Sequence, residues 1–372
     1  MRILLVCPQK LDKRFGISKV YLEAAESYMT FGVECKVVGA ELLLKPGDVY
    51  DMELIGKRLK EYLEVIEEPY DIIEVEHHLL PQLPKFKFPK RPLLVGRSSL
   101  LMHFMPIYER FWNNWLGILK YPLRKYRLNQ RAKKIIRLAN KTIANCDLIL
   151  LSNPDEIAKL AEIGVPANKM FLSPYGLTKE RRELFNKEKK NAKHTKMKTV
   201  VMVGTLDPRK GLNHLPKIVD KVLSKEPEAQ FYFLGTGFFI PDKNRQLKVF
   251  TKNSRENIII KQIFDPHELP SILCQMKVGI FPSTWEGCPF GVLEMVCAGL
   301  PVYGFKAPGT SMILPNENLV SEGDCETLAQ MVIENLRDNQ LFNLIQLPEQ
   351  FYWENISKEA IEIYKRKLEN FI

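Results

Sequence analysis

The sequence predicts an α/β protein of two Rossmann-like parallel-sheet domains that face each other across a cleft. Three observations predict this class. The chain has 372 residues, which is more than one hydrophobic core usually supports. Short, unbroken apolar runs recur in both halves, as in strands buried on both faces of a parallel sheet. Helical patterns separate these runs, which is the order of βαβ units.

Five strands are predicted in each half. They are RILLVC, ECKVVG, IIEVE, PLLVGRS and LILLS in the first half, and TVVMVG, FYFLG, NIIIK, VGIFPS and PVYGF in the second. The segment between the first two strands is predicted to be a helix, because one face carries its apolar residues Ile17, Val20, Tyr21, Ala24, Tyr28 and Phe31. Ligands of such sheets bind at the carboxyl ends of the strands, so we expect the functional residues there.

A charged segment separates the two predicted domains, 1–177 and 199–350. Residues 178–198, TKERRELFNKEKKNAKHTKMK, contain few apolar residues and many lysines, without periodicity. This composition is typical of a solvated linker.

The overall composition excludes several classes of protein. With 45% apolar and 26% charged residues and a mean hydropathy of −0.17, the chain is predicted to be soluble and cytoplasmic. No apolar run approaches the roughly 20 residues of a membrane span, and we expect the N-terminal MRILLVC to be a first strand and not a signal sequence. The seven cysteines are scattered without a CxxC pair, which indicates buried thiols rather than a zinc site.

The net charge of +10 is concentrated in part in residues 121–141, YPLRKYRLNQRAKKIIRLANK. Apolar residues at helical spacing lie opposite the cations of this segment: Leu123, Tyr126, Leu128, Ile135, Leu138 and Ala139. One interpretation is a membrane-surface helix that binds anionic lipid reversibly. The other is the solvated face of a helix packed on the core. Nucleic acid is not expected, because no recognition motif accompanies the charge.

The peptide EGCPFGVLE, residues 286–294, follows a predicted strand and enters a helix. Pro289 suits the first helical turn, so the amides of Phe290 and Gly291 are expected to be unpaired and to bind an anion. Glu286 and Glu294 bracket this position and do not form a close pair. Each is suited to accept hydrogen bonds from the hydroxyls of a sugar or a ribose. The alternative is an ordinary turn residue and a helix-face charge.

Two further glycine turns follow predicted strands. In VVMVGTLDPRKGLNHL, Gly204 precedes Arg209 and Lys210, a pair of cations that suits a diphosphate. In KRFGISKVY, Gly16 would let the backbone approach a ligand. A solvated basic turn and a tight turn are the respective alternatives.

With these peptides, the chain resembles the retaining glycosyltransferases of the GT-B fold, in the large family known as group 1 or family 4. The resemblance spans nearly the whole chain, and its most specific element is the glutamate pair with seven residues between. The similar segments are FGISKVYLEAAESYMTFGVECKVV, NCDLILLSNPDEIAKLAEIGVPANKMFLSPYGL, VGTLDPRKG, LGTG and FPSTWEGCPFGVLEMVCAGLPVYGF. Residues 351–372 are similar to the family's terminal helix, which crosses back to the first domain.

The resemblance implies transfer of a sugar from a nucleotide diphosphate sugar to a glycan or lipid-linked acceptor, with retention at the anomeric carbon. The first domain would bind the acceptor and the second the donor. Glu286 would bind the donor sugar, Glu294 the ribose and Lys210 the diphosphate. No cofactor is expected, nor a metal, because the chain has no Asp-x-Asp pair. The donor site is predicted to contain Gly16, Gly204, Thr205, Arg209, Lys210, Glu286, Phe290, Gly291, Val292 and Glu294.

The chain departs from the family pattern at two positions. Thr205 replaces a basic residue, and Arg209 is expected to compensate. Ser99 replaces a histidine that assists at the sugar, and three other histidines remain as alternatives: His77, His78 and His103. The predicted catalytic residues are therefore Glu286, Lys210 and Arg209, with His103 as the histidine.

Two other functions are considered. A sugar-nucleotide epimerase or hydrolase would need an acid/base set that the sequence does not supply. A catalytically silent, sugar-nucleotide-binding subunit of a polysaccharide assembly complex is the second, and Ser99 motivates it. The enzyme would lie in the cytoplasm or at the inner face of the membrane. The sequence does not specify the base, the sugar or the acceptor.

Overall fold

The apolar runs of the sequence form two parallel sheets, each of six strands within the described residues, in the computed structural model of the chain. Each sheet belongs to one of two units, Met1–Thr178 with Tyr352–Ile372, and Lys179–Phe351. The structure describes the following residues, with the backbone alone in 115–125: 1–66, 69–79, 91–105, 115–191, 197–338 and 346–369.

The first unit alternates strands and helices along its sequence. Its elements in chain order are β1 (Arg2–Val6), α1 (Gly16–Thr30), β2 (Glu34–Val38), α2 (Ala40–Leu43), α3 (Met52–Val65), β3 (Ile72–Glu76), β4 (Leu93–Arg97), α4 (Trp115–Asn145), β5 (Leu148–Leu151), α5 (Pro154–Glu162) and β6 (Met170–Leu172). The strand order is β2-β1-β3-β4-β5-β6. The order reverses between β1 and β3, and ligands of doubly wound sheets bind at such a point.

The second unit repeats this architecture. Its elements are α6 (Lys179–Asn191), β7 (Thr199–Val203), α7 (Leu215–Leu223), β8 (Gln230–Leu234), α8 (Lys243–Leu247), β9 (Ile258–Lys261), α9 (Leu269–Leu273), β10 (Val278–Phe281), α10 (Phe290–Cys297), β11 (Val302–Phe305), β12 (Leu319–Val320) and α11 (Cys325–Arg337). The order is β12-β11-β10-β7-β8-β9, so the reversal lies between β7 and β10. The loops after these two neighbouring strands therefore emerge at one edge of the sheet.

The C-terminal helix, α12 (Trp353–Glu369), packs on α1 in the first unit. The indole nitrogen of Trp353 donates to Glu23 at 2.7 Å, and the hydroxyl of Ser27 donates to the Trp353 carbonyl at 3.1 Å. Both acceptors and both donors are buried. The helix is therefore held to α1 by hydrogen bonds away from water as well as by apolar contact.

A buried ion pair lies beneath this helix. Arg97 of β4 pairs with Glu74 of β3, and both side chains are at most 1% exposed. The hydroxyl of Tyr364 donates to Glu74 at 2.6 Å, while Arg97 donates to the hydroxyl of Tyr28 at 2.8 Å. Two strands, α1 and α12 thus meet in one polar network. A charge in such a place must be paired, because water cannot solvate it.

The ten predicted strands are present, and two short ones were not predicted. β6 and β12 have three and two residues and lie at the sheet edges, where no apolar run is needed. The predicted inward-facing residues of α1 are buried except Ile17, which is half-buried, and Phe31, which is 43% exposed just after the helix ends.

The linker predicted over 178–198 is wrong for Lys179–Asn191, which form α6. Lysine, arginine and glutamate are good helix formers, so a charged segment needs little apolar surface to be helical. Phe185 supplies that surface: its side chain is fully buried, and α6 packs on α9. In the described part of the chain, no helix is both long and apolar enough to cross a membrane.

We predict that Arg97→Met lowers the free energy of unfolding by about 3 to 5 kcal/mol, because it leaves Glu74 buried without its countercharge. The double variant Arg97→Met/Glu74→Leu should recover most of this loss. Denaturant unfolding measures both. Arg91→Met is the matched control: its pair with Asp147 is 2.7 Å long but the arginine is half exposed, so the change should cost less than about 1 kcal/mol. A single variant as stable as this control would contradict the prediction.

Candidate functional site

The turn after β7 carries two cationic side chains, Arg209 and Lys210. A short 3₁₀ helix spans Pro208–Lys210, and the carboxylate of Asp207 accepts the Lys210 amide at 3.1 Å. The hydroxyl of Thr205 also donates to Asp207. Gly211 follows with φ +82°, and a Cβ atom there would lie 2.2 Å from the carbonyl oxygen of Pro282. The turn is therefore pressed against the end of β10, where only glycine fits.

Both cations of this turn reach the carboxylate of Glu286. Arg209 Nη1 lies 2.7 Å from Oε2 and Lys210 Nζ lies 2.6 Å from Oε1. The Glu286 side chain is only 6% exposed. Burial by itself raises the pKa of Glu286, but the attraction of Arg209 and Lys210 outweighs it and holds this pKa below its ordinary value. Glu286 is therefore ionised at neutral pH.

Each cation has a further contact that fixes its direction. Arg209 donates to the carbonyl oxygen of Trp285 at 3.1 Å. The ammonium of Lys210 lies 4.7 Å from the centre of the Phe281 ring, and its stem lies against Gly204. Burial lowers the pKa of Lys210 despite the nearby Glu286. The predicted phosphate-binding residues Gly204, Arg209 and Lys210 thus lie together, with Glu286 as their common partner.

Helix α10 begins beside the end of β7. A Cβ atom on Gly291 would lie 2.5 Å from the carbonyl oxygen of Val203, so glycine allows the helix to approach the strand. The amide of Val292 donates to the Pro289 carbonyl at 3.0 Å. This amide therefore has a partner within the turn, and the place of Val292 in the donor site stays a prediction. Pro289 itself lies at the N-cap, just before the helix, and Phe290 is half-buried in the first turn.

The second carboxylate of the pair, Glu294, has a different partner. Its side chain is 6% exposed, and Arg181 Nη2 of α6 lies 2.9 Å from its Oε1. The same guanidinium donates to the Pro266 carbonyl, in the loop after β9. The two glutamates thus pair with different cations, Glu286 with Arg209 and Lys210 and Glu294 with Arg181. Sequence reasoning missed Arg181 because it treated the segment as a linker, although Phe185 four residues later indicates a helix with a buried face.

The remaining predicted residues lie in the first unit. Gly16 begins α1, is exposed, and has open space where a Cβ would be. His103 Nε2 lies 2.7 Å from the Asn140 side-chain oxygen, and burial lowers the pKa of this histidine. The amide of Ser99 donates to Glu76 Oε1 at 3.0 Å. His103 and Ser99 therefore already have partners within their own unit.

Glu76, His77 and His78 form a buried cluster at the end of β3, with candidate ligand atoms within 4.8 Å of one another. His77 Nδ1 lies 2.8 Å from Glu76 Oε1, and the Met102 amide donates to His77 Nε2 at 3.2 Å. Because Nε2 accepts a hydrogen bond, the proton of a neutral ring lies on Nδ1. Nδ1 then donates a hydrogen bond to Glu76. This is the pattern of a hydrogen-bonded histidine, and a metal at Nδ1 would require the Met102 bond to break.

The basic segment 121–141 lies within α4, and the side chain of Leu123 lies outside the described residues. Leu138 and Ala139 are buried in the first unit, whereas Tyr126 is 60% exposed. Between α3 and α4 is a cavity of about 420 Å³ lined by Glu53, Gln130, Lys133, Lys134, Arg137, Leu138 and Lys141. The cations lie at helical spacing on one face, and the described structure gives ion pairs only to Lys134, with Asp51 and Glu53.

Residues 197–338 match the family model described as glycosyl transferases group 1. O-antigen chain mannosyltransferase B of Escherichia coli is 22% identical over 170 residues, 44% of each chain. A second E. coli protein, UDP-Gal:alpha-D-GlcNAc-diphosphoundecaprenol alpha-1,3-galactosyltransferase, is 24% identical over 57% of this chain and 58% of its own length. The chain thus spans about half the length of these curated relatives.

Solved structures match over nearly the whole chain. Sucrose-phosphate synthase of Thermosynechococcus elongatus has a TM-score of 0.75 at 15% identity, with 98% of each chain covered. HepE of Anabaena, in complex with UDP and glucose, has a TM-score of 0.67 at 14% identity and covers 98% of this chain and 100% of its own. These likenesses establish the predicted fold class, GT-B, at the level of architecture.

We predict that His78 makes the first unit acid-sensitive. Burial lowers the pKa of His78 to about 4, whereas in the unfolded chain it is about 6.5. Unfolding therefore takes up a proton between these values, and the free energy of unfolding falls as the pH is lowered from about 6.5 to about 4. His78→Asn should remove up to about 3 kcal/mol of this fall.

Denaturant unfolding at several pH values compares the variant with the parent protein. Glu156, whose pKa burial raises to about 7, titrates in both proteins and cancels in the difference. Parallel stability curves for the parent and His78→Asn would refute the assignment.

Proposed function

Because residues 197–338 form a domain of the group 1 glycosyl transferase family, we propose that the protein transfers a sugar from a nucleotide diphosphate sugar to a hydroxyl group of a glycan or lipid-linked saccharide. We further propose that transfer retains the anomeric configuration and needs no metal ion. The pairing of the buried Glu286 with Arg209 and Lys210, at the strand-order reversal of the second sheet, is the observation that carries this proposal.

The donor diphosphate would bind between the cationic turn and the start of α10. A diphosphate carries more negative charge than one carboxylate, so it competes with Glu286 for Arg209 and Lys210. The dipole of α10 adds about half a positive charge at its first turn. Arg209 contacts the same carboxylate as Lys210. This supports the expectation that Arg209 compensates for the basic residue that Thr205 replaces.

The two glutamates would bind the two polyhydroxylated parts of the donor. Once the diphosphate engages the cations, Glu286 accepts hydrogen bonds from hydroxyls of the sugar. Glu294, whose partner is a different arginine, accepts from the ribose. The different partners of the two carboxylates support this division, since one lies at the cationic turn and the other is held through α6.

In the transfer step, the bond from the anomeric carbon to the diphosphate oxygen breaks and its electron pair goes to that oxygen. The acceptor oxygen forms the new bond on the same face, and its proton goes to the leaving phosphate. Preorganised positive groups stabilise the charge that grows on the diphosphate. Each hydrogen-bond donor aimed at this charge contributes about 3 to 4 kcal/mol. Arg209 and Lys210 would supply this stabilisation in the place of a metal ion.

The acceptor is proposed to be a saccharide on a lipid diphosphate. One relative is described as acting on a GlcNAc-diphosphoundecaprenol, and the cationic face of α4 suits an anionic surface. The structure places Leu138 and Ala139 of this helix in the core, so the contact would rely on charge and not on an inserted apolar stripe. The protein would then work at the cytoplasmic face of the membrane.

The proposal predicts donor binding and turnover that depend on Lys210. Thermal-shift measurements with UDP, GDP and ADP sugars should identify a donor, since a ligand at 100 times its dissociation constant adds about 2.7 kcal/mol of stability. With that donor and lipid-linked saccharide extracts, Lys210→Ala should lose on the order of 100-fold in turnover. Lys217→Ala, a control at a 60% exposed side chain, should retain full activity.

Four outcomes of this experiment are distinct. Normal turnover by a folded Lys210→Ala protein removes the phosphate role of this lysine. A donor that binds without any transfer favours the silent subunit that Ser99 suggests. Failure of every nucleotide sugar to stabilise the protein overturns the proposed function itself. Turnover that persists with a chelator supports the proposal that no metal ion is needed.

We predict that the protein binds anionic vesicles reversibly through α4. Each lysine or arginine near such a surface contributes about 1 kcal/mol, and salt screens this attraction. The double variant Lys133→Glu/Arg137→Glu should abolish co-sedimentation with anionic vesicles at low salt. Lys10→Glu/Lys57→Glu changes the same number of exposed charges elsewhere in the first unit and should bind better than the α4 variant. Absence of binding by the parent protein would leave α4 with a solvated face only.

A further inference from the structure

Arg181 joins three elements of the second unit around Glu294. It belongs to α6, pairs with Glu294 of α10 at 2.9 Å, and donates to the Pro266 carbonyl in the loop after β9. The guanidinium carbon also lies 5.2 Å from the centre of the Phe185 ring. An arginine held at three points is a fixed support, because little rotational freedom remains to it.

The charge of Glu294 needs this support. Its side chain is 6% exposed, that of Arg181 is 10% exposed, and water solvates neither group well. A buried carboxylate with no countercharge would take up a proton, and a protonated group accepts fewer hydrogen bonds. The arginine therefore supplies the countercharge of Glu294 and fixes the direction of one of its oxygens. A carboxylate has about four lone-pair sites, and hydroxyl groups can donate to such sites.

We propose that Arg181 is a positioning residue that holds Glu294 ready for the ribose hydroxyls of the donor. The inference rests on the proposed function, and it assigns to α6 a part in nucleotide recognition. Arg181 acts through Glu294 and not by contact with the diphosphate. Its bond to the Pro266 carbonyl also links the loop after β9 to α10 through one side chain.

Isothermal titration of the full chain tests this inference. The probes are UDP, GDP and ADP, their 2′-deoxy counterparts, and inorganic pyrophosphate. The parent protein should bind the ribonucleotide about tenfold more tightly than its 2′-deoxy counterpart, as expected for one hydrogen bond to a charged group. Arg181→Gln should reduce this ratio to nearly one and leave pyrophosphate affinity unchanged.

Three further variants keep the test decisive. Glu294→Gln should lose the same ratio, and the double variant Arg181→Gln/Glu294→Gln should lose no more than either single change. Arg181→Lys keeps the positive charge and serves as the test if the Gln variant does not fold. It should retain part of the preference for the ribonucleotide over its 2′-deoxy counterpart. Lys187→Gln removes an exposed cation from the same helix and should behave as the parent protein.

The outcomes separate this inference from the proposed function. A ribose preference that persists in Arg181→Gln overturns the inference alone. A loss of pyrophosphate affinity in that variant also overturns it, because Arg181 would then bind phosphate directly. If the parent protein binds none of the nucleoside diphosphates, the proposed function fails and the inference fails with it.

Discussion

The buried carboxylate of Glu286 is the interaction on which the candidate site depends. It draws Arg209 and Lys210 to the end of β10, although both cations belong to the turn after β7. The parallel sheet makes this possible, because neighbouring strands end at the same edge and their loops meet there. Gly211 then lets the turn approach the end of β10, and Gly291 lets α10 approach the end of β7, both more closely than a side chain would allow. The backbone supplies the proximity and the carboxylate holds the charges in place.

The same electrostatic rule governs the second carboxylate, with a different element. Glu294 is as deeply buried as Glu286, and its cation comes from α6. The site is thus balanced in charge without a ligand, since Glu286 and Asp207 offset Arg209 and Lys210, and Arg181 offsets Glu294. A neutral site has no excess charge to attract an anion from a distance. We therefore expect donor affinity to come from exchange of partners at short range, together with the dipole of α10.

The sequence predicts the strands well because parallel strands buried on both faces require continuous apolar runs. Edge strands carry no such requirement, so β6 and β12 leave no signal. Helix α6 shows the opposite error: its composition indicates a solvated segment, while one phenylalanine and one ion pair fix it to the fold. The cationic turn and the two glutamates could be located from their positions after strands. Arg181 could not, because its role depends on a contact 113 residues away.

Of the three histidines of the first unit, two are hydrogen-bonded within that unit and the third is a weak base. His77 uses both ring nitrogens, and the ring of His103 bonds to Asn140. His78 is buried with a pKa of about 4, so it is a weak base at neutral pH, where a general base works best with a pKa near 7. A leaving phosphate needs no such tuning, because it gains negative charge as the bond to the sugar breaks. The proposed transfer step accordingly uses none of these histidines, since its proton passes to the departing diphosphate.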